Sequence, residues 1–192
     1  MPSPLADRVR EKLNGQPLTR DQYVGILGQL YHFSAAAQLH LLAVADRIDD
    51  PGLSRWFAKH AREENGHHRW AEQDLTEMGE AVRPPFPATL RLISHIEQVA
   101  GGPKPYLVLG ISHVAENLSP MLDPAKLLPD GIDRAVRYVG RHVLVDRTHA
   151  ADVNWQVSML SASRRAEVLE ESRQFAELMF EFLLESAGMS GE

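Results

Sequence analysis

Two stretches of the chain place histidines and carboxylates three or four residues apart. Glu64 and His67 are three residues apart within REENGHHRW, and His142, Asp146 and His149 follow one another at spacings of four and three. Residues at these spacings share one face of an α-helix. A metal ion needs several lone-pair donors that converge on one point, and facing helices can supply them from a rigid backbone. Both stretches are therefore candidate metal-ligand motifs.

Other residues extend these motifs. His60 precedes Glu64 by four residues, and His113 and Glu116 are three residues apart on a later predicted helix.

The chain has no cysteine, which excludes thiolate sites, iron–sulfur clusters and a cysteine nucleophile. Imidazole and carboxylate together suit iron or manganese. We predict a site for two iron ions, or manganese, with about three protein ligands each and open positions for O2 and substrate. The predicted ligands are Glu64, His67, Glu116, His142, Asp146 and His149. His60 and His113 are candidates for an additional ligand or for a residue that supports the ligands.

A structural interpretation of the same residues stays open. A single Glu-x-x-His pair is common on solvated helix faces, so Glu64 and His67 alone are weak evidence for a metal. The stripe of His142, Asp146 and His149 lies in an apolar stretch, and buried Asp and His side chains need partners. A buried hydrogen-bonded network without metal would satisfy the stripe. The three candidate helices together favour metal binding.

Helices must position these residues, because the chain reads as one helix after another. Capping residues and prolines begin the predicted helices, and glycines or prolines end them. The sequence contains no alternating strand pattern and no hairpin signal. The predicted helices cover approximately residues 3–15, 19–48, 51–78, 88–99, 104–118, 130–159 and 163–187. We expect an all-α protein, a single-domain bundle of about seven helices spanning residues 1–192, with residues 1–18 as an N-terminal extension that carries a short helix.

Composition excludes several classes of protein. The formal net charge is −6 and no basic run occurs, so we expect no nucleic-acid partner. No run of about 18 or more apolar residues is present, so no membrane span is expected. The N-terminal residues are charged and lack the apolar core of a secretory signal. Together with the absence of cysteine, this favours a cytoplasmic protein.

The motifs resemble those of the haem-oxygenase-like diiron oxidases and oxygenases, a family of iron-containing redox enzymes. The resemblance covers roughly residues 20–185. It rests on three motifs: Glu64-x-x-His67, Glu116 and His142-x-x-x-Asp146-x-x-His149. It implies the compact helical bundle that haem oxygenases share with the TenA and PqqC proteins, and it implies that these six residues bind two irons. It further implies a homodimer that uses O2 to oxidise a small substrate such as a fatty acid, an amino acid or an amine.

The chain departs from the family pattern in one respect, and two alternative functions stay open. Some members place the early Glu and His seven residues apart, whereas here that spacing joins His60 to His67, so the assignment of Glu64 rests on the shorter spacing. In a haem-binding or haem-degrading enzyme of the same fold, His32 would be the proximal ligand, although no Gly-rich distal helix is evident near Gly140. The second alternative is a metal-free protein of the TenA or PqqC kind, or a small-ligand binding module. The absence of cysteine disfavours a TenA-type thiaminase.

Overall fold

The computed structural model describes residues 11, 13, 17–118, 127–129, 131–132 and 134–189, and for residues 143–147 it describes the backbone alone. These residues form seven α-helices and one short 3-10 helix, with no strand among them, which confirms the all-α prediction. The helices are α1 (Arg20–Ala45), α2 (Pro51–Glu63), α3 (His68–Glu77), α4 (Pro87–Gly101), α5 (Val108–Leu118), α6 (Arg137–Met159) and α7 (Ala162–Ser186). The 3-10 helix, Pro105–Leu107, directly precedes α5. The short helix predicted near residues 3–15 lies outside the described residues, apart from Glu11 and Leu13.

The long helix α1 is the one against which α2, α3, α4 and α7 pack. It begins with a capping box, in which the Thr19 hydroxyl accepts from the backbone N–H of Gln22 and the Gln22 side chain accepts from the backbone N–H of Thr19. Such a box satisfies two of the N–H groups that the start of a helix leaves unpaired. The box therefore sets where this helix begins, close to its predicted start.

Helix α5 carries Glu116 and packs against α6 and α7. Gly110 lies directly against the backbone of α7, where a Cβ would collide with the carbonyl of Val168. The absence of a side chain at Gly110 lets the two helices approach closely. This close contact holds α5, and with it Glu116, in a defined position within the bundle.

The helix predicted over residues 51–78 is two helices, because the chain turns at Gly66. Helix α2 ends just before Glu64 and α3 begins just after His67. Gly66 adopts a φ of +90°, in the left-handed region that glycine enters without steric cost. The prediction of one continuous helix was wrong, since it treated this glycine as an ordinary residue in a helix interior. Glu64 and His67 consequently lie on either side of a break.

Helix α6, which carries the late motif, begins at Arg137 and not near residue 130 as predicted. Ala135, just before it, has a φ of 58°, so the backbone is not helical there. Asp74 of α3 is fully buried, and its carboxylate accepts from the backbone N–H of Tyr138 at 2.8 Å and pairs with Arg137 at 3.2 Å. An acidic group at a helix N-terminus satisfies a free N–H and complements the helix dipole. Helix α3 therefore determines where α6 begins.

The buried apolar side chains of all seven helices form one contiguous core. Several polar and ionisable side chains are buried together with it, and five of them are candidate site residues: His60, Glu64, His67, Glu116 and His149. Ionisable groups are buried in proteins when they are paired or bind metals, because isolated burial costs several kcal/mol. None of the described helices is long and apolar enough to cross a membrane.

Candidate metal centre

Two groups of His and Glu side chains converge where α2, α3, α5 and α6 meet, and they share one residue. The first group consists of His60, Glu64, Glu116 and His149, and the second consists of Glu64, His67 and His142. Within each group, one potential ligand atom from each residue lies within 4.8 Å of the others. Because Glu64 belongs to both groups, its carboxylate is common to two candidate ion positions.

Imidazoles and carboxylates alternate in the first group. His60 Nε2 donates to Glu116 Oε1 at 3.0 Å. His149 Nδ1 lies 3.4 Å from Glu64 Oε1 and 3.3 Å from Glu116 Oε2. The other ring nitrogen of His149, Nε2, lies 3.6 Å from Glu63 Oε2. Carboxylates therefore approach both nitrogens of the His149 ring. One of them belongs to Glu63, which the spacing of the sequence motifs did not predict at this site.

The Nδ1 atom of His149 is a buried nitrogen that has no hydrogen-bond partner among the described residues. Its two carboxylate neighbours, 3.3 and 3.4 Å away, are close enough for electrostatic attraction. Buried polar atoms are nearly always paired, so an exception needs an explanation. A cation between the nitrogen and the two carboxylates would satisfy all three groups at once, and this donor set suits iron or manganese. The residues present therefore fit a metal ion.

The second group combines two imidazoles with the shared carboxylate. His67 Nδ1 donates to Glu64 Oε2 at 2.8 Å, and the His67 and His142 rings meet edge to face with their centroids 4.9 Å apart. His142 Nδ1 donates to the backbone carbonyl of Tyr138 at 3.0 Å. This hydrogen bond orients the ring and leaves Nε2 of the neutral imidazole with a free lone pair. His142 is thus positioned as metal-ligating histidines usually are.

Three of these imidazoles lie against an aromatic ring three or four residues away in the sequence. The stacked pairs are Trp56 with His60 (5.0 Å between centroids), Trp70 with His67 (4.1 Å) and Tyr138 with His142 (4.0 Å). The interplanar angles are 15°, 27° and 29°. Stacking restricts rotation of the imidazole rings. The helical spacing of each aromatic–histidine pair is visible in the sequence, so these contacts could have been predicted from it.

Burial and mutual attraction determine the charges in the site. Burial raises the pKa of Glu64, but His149, His67 and His60 outweigh it and hold that pKa far below its ordinary value. Burial also raises the pKa of Glu116, and His149 and His60 again outweigh it, so that pKa is lowered. Burial lowers the pKa of His149, yet Glu116 and Glu64 raise it to about 10. Both carboxylates are therefore ionised and require positive charge beside them.

The remaining candidate residues are Asp146, His113 and His32. The side chain of Asp146 lies outside the described residues, although its backbone belongs to α6. His113 is in neither group, and its Nδ1 lies 3.2 Å from Ser172 Oγ on α7. His32, the candidate haem ligand, donates from Nε2 to the carbonyl oxygen of Arg83 at 2.7 Å. Of the eight residues predicted for the metal site, six thus converge, and His60 is one of them.

Two cavities reach the candidate centre from different directions. The larger has a volume of about 130 Å³, and Glu64, Glu116 and His142 lie in its wall, which is otherwise mostly apolar. The smaller has a volume of about 50 Å³, and its wall includes His60, Glu64 and Glu116. An apolar cavity of about 150 Å³ accommodates benzene, so the larger cavity suits a small organic molecule. The carboxylates of Glu64 and Glu116 line both cavities.

Comparison with known proteins adds a family and a fold. The family model for iron-containing redox enzymes matches residues 24–181. A similar solved structure is a domain of unknown function with a haem-oxygenase-like fold from Shewanella denitrificans OS217, with 23% sequence identity and a TM-score of 0.81. That similarity covers 96% of this chain and 83% of the other. No protein of curated function matches the chain. The helices therefore adopt the haem-oxygenase-like fold that the sequence motifs implied.

Proposed function

Because this chain belongs to the family of iron-containing redox enzymes, we propose that it is a non-haem diiron oxidase or oxygenase. It binds two iron ions and uses O2 to oxidise a small organic substrate. The observation that carries this proposal is the position of Glu64, which is common to two groups of metal-ligand side chains. Two groups that share a carboxylate are the arrangement expected of a two-ion site in a helical bundle.

The two ions are assigned to the two groups. One ion would be held by His60, Glu64, Glu116 and His149, and the other by Glu64, His67 and His142. Asp146, by its helical spacing from His142, is a predicted further ligand of the second ion. Manganese suits the same donors. When bound, iron would supply the electron transfer to O2.

The protein contributes ligand placement and the exclusion of water. His60, His67 and His149 are 4%, 4% and 5% exposed, so electrostatic interactions in the site are strong. The ionised carboxylates of Glu64 and Glu116 offset the charge of bound cations. Stacked aromatic rings hold the imidazoles in orientation, so that little reorganisation is needed when ions bind.

The larger cavity is proposed to hold the organic substrate. Its apolar wall includes Leu30, Phe33 and Met179, which would bind an apolar body and exclude water. The hydroxyls of Ser34 and Tyr138 lie 2.8 Å apart in the same wall and would orient one polar group. The substrate would then lie beside Glu64, Glu116 and His142.

The alternative functions fit these observations less well. A metal-free hydrogen-bonded network explains the pairing of His60 with Glu116, but it leaves the buried Nδ1 of His149 with ion-pair neighbours and no hydrogen bond. A haem enzyme would need His32, whose Nε2 is already bonded to a backbone carbonyl. His32 is also not a residue of the larger cavity wall.

The proposal is tested by reaction of the iron-loaded protein with O2. The metal-free chain is loaded with Fe(II) under anaerobic conditions, freed of unbound iron and mixed with O2, and O2 uptake and visible absorbance are followed. We expect rapid O2 uptake in proportion to bound iron, lost in Glu116→Ala and retained in His113→Ala. Oxidation no faster than that of free Fe(II), or equal rates in wild type and Glu116→Ala, would refute the proposal.

A further inference from the structure

We propose that the smaller cavity is a chamber that binds O2 beside the centre, separate from the cavity for the organic substrate. This inference rests on the proposed function, because it assigns a site to the O2 that the proposed reaction consumes. The chamber is defined here as the cavity of about 50 Å³ between α1, α2, α4 and α5. Its size, its lining and its position relative to the candidate ligands lead to the same assignment.

The size of the chamber selects for small molecules. A volume of about 50 Å³ is roughly a third of the about 150 Å³ that accommodates benzene, yet it exceeds the about 10–15 Å³ that one water molecule needs. A diatomic gas fits, and a benzene-sized substrate does not. The organic substrate is thus confined to the larger cavity.

The lining of the chamber favours an apolar gas. Side chains of α1, α4 and α5 form its apolar wall: Phe33, Leu41, Ile96, Val108 and Ile111. Apolar solutes partition from water into such surroundings, and genuinely apolar cavities bind xenon. The rest of the wall includes the candidate ligands His60, Glu64 and Glu116 and the polar residues His40 and Ser112. O2 in the chamber would therefore be held by apolar contacts within reach of the ions.

The chamber reaches a part of the centre that the larger cavity does not. His60 lines only the chamber, whereas His142 lines only the larger cavity. Glu64 and Glu116 line both. O2 and the organic substrate would thus approach the same carboxylates from two directions, and a substrate that fills the larger cavity would not block O2.

The chamber extends towards the protein surface along α1. His40 lines only the chamber and is partly exposed, and Phe33, also partly exposed, lines both cavities. Gas molecules could therefore enter beside α1 without passing through the larger cavity.

Two matched valine substitutions separate the cavities. Val108 lines only the chamber and Val139 lines only the larger cavity, and they are 1% and 9% exposed. Crystals of the metal-free wild type, Val108→Phe and Val139→Phe would be pressurised with xenon. We expect a xenon atom in the chamber of the wild type and of Val139→Phe, and none in the chamber of Val108→Phe. No xenon in the wild-type chamber, or equal occupancy in Val108→Phe, would overturn the assignment.

The rate of O2 reaction tests whether the chamber serves the centre. In iron-loaded protein without organic substrate, Val108→Phe should slow the second-order reaction with O2 about tenfold, as a blocked route limits access. Val157→Phe, at a buried valine of α6 that lines neither cavity, should stay within about twofold of the wild type, since it leaves the chamber open. Leu41→Phe, which narrows the chamber from α1, is a second blocking variant should Val108→Phe not fold by circular dichroism. Unchanged O2 rates in a folded blocking variant that excludes xenon would overturn the O2 role.

The two proposals fail in distinguishable ways. If the wild type binds iron and reacts with O2 but no xenon enters the chamber, the chamber assignment falls and the proposed function stands. If the wild type takes up no iron, the proposed function falls and the O2 role of the chamber falls with it.

Discussion

The carboxylate of Glu64 lies 2.8 Å from Nδ1 of His67, although the two residues are on opposite sides of a break in the helix. Helix α2 ends before Glu64 and α3 begins after His67. Their contact therefore depends on the turn that joins the two helices. Gly66 forms that turn with a φ of +90°, so the conformation of one glycine positions residues of both candidate ion sites.

We predict that Gly66→Ala destabilises the protein and weakens metal binding. No atom lies within 4 Å of a Cβ at Gly66, so the cost is backbone strain alone, about 1–2 kcal/mol. The matched control is Gly140→Ala in α6, where a Cβ also meets nothing and φ is not positive. The control should stabilise the protein by roughly 0.5–1 kcal/mol. Urea denaturation measures both free energies of unfolding, and shifts of the same sign would contradict this interpretation.

Asp74→Ala should destabilise the protein by about 3 kcal/mol, because breaking a buried ion pair leaves its partners unsatisfied. The fully buried carboxylate of Asp74 is the partner of the Tyr138 N–H and of Arg137. Glu77 also pairs with Arg137, but its side chain is 38% exposed, so Glu77→Ala should cost less than about 1 kcal/mol. Equilibrium unfolding in urea compares the two variants. Equal losses would show that Asp74 does not determine the start of α6.

Metal ions should raise the melting temperature of the metal-free protein. A ligand at 100 times its dissociation constant stabilises the folded state by about 2.7 kcal/mol for one site. For a chain of this size that corresponds to a rise of about 5–10 °C. Differential scanning calorimetry with Mn(II) or with anaerobic Fe(II) measures the rise. The Glu64→Ala variant should show little or none, and a full rise in that variant would argue against the shared carboxylate.

Tyr138 should keep His142 in orientation through the stacked face of its ring and not through its hydroxyl group. The two rings stack with centroids 4.0 Å apart. Tyr138→Phe keeps the ring and should leave metal affinity unchanged, while costing about 1 kcal/mol of stability because Ser34 loses a hydrogen-bond partner. Tyr138→Leu removes the ring and should weaken the second ion about tenfold. Anaerobic Fe(II) titration of both variants checks this, and equal affinities would show that stacking is unimportant.

Local patterns in the sequence explain why the fold class could be predicted. Helix caps such as Thr19 and breakers such as Gly102 act on neighbouring residues, and the predicted boundaries of α1, α4 and α7 lie within a few residues of the observed ones. Glu64 and His67 are also close in sequence, and their side chains still meet although the chain turns at Gly66 between them. Sequence reasoning therefore found Glu64, His67, His142 and His149, which meet at the centre.

Features that depend on distant contacts could not be predicted. Helix α6 begins late because Asp74, on another helix, accepts from the backbone N–H of Tyr138 and pairs with the Arg137 side chain. Glu63 approaches His149 only because the fold brings the end of α2 close to α6. His60 joins the first group through Glu116 of α5, whereas the sequence left open whether it is an additional ligand or a supporting residue. The cavities follow from the packing of several helices, so no local pattern indicates them.

The measurement that tests the central claim most directly is the iron content of the chain after anaerobic Fe(II) titration. The wild type and His113→Ala should bind two ions per chain, since His113 is in neither group. His142→Ala should retain one ion, and Glu64→Ala should lose both, because Glu64 is common to the two groups. A wild type that binds no iron, or a folded Glu64→Ala variant that still binds two ions, would contradict a diiron centre that shares Glu64.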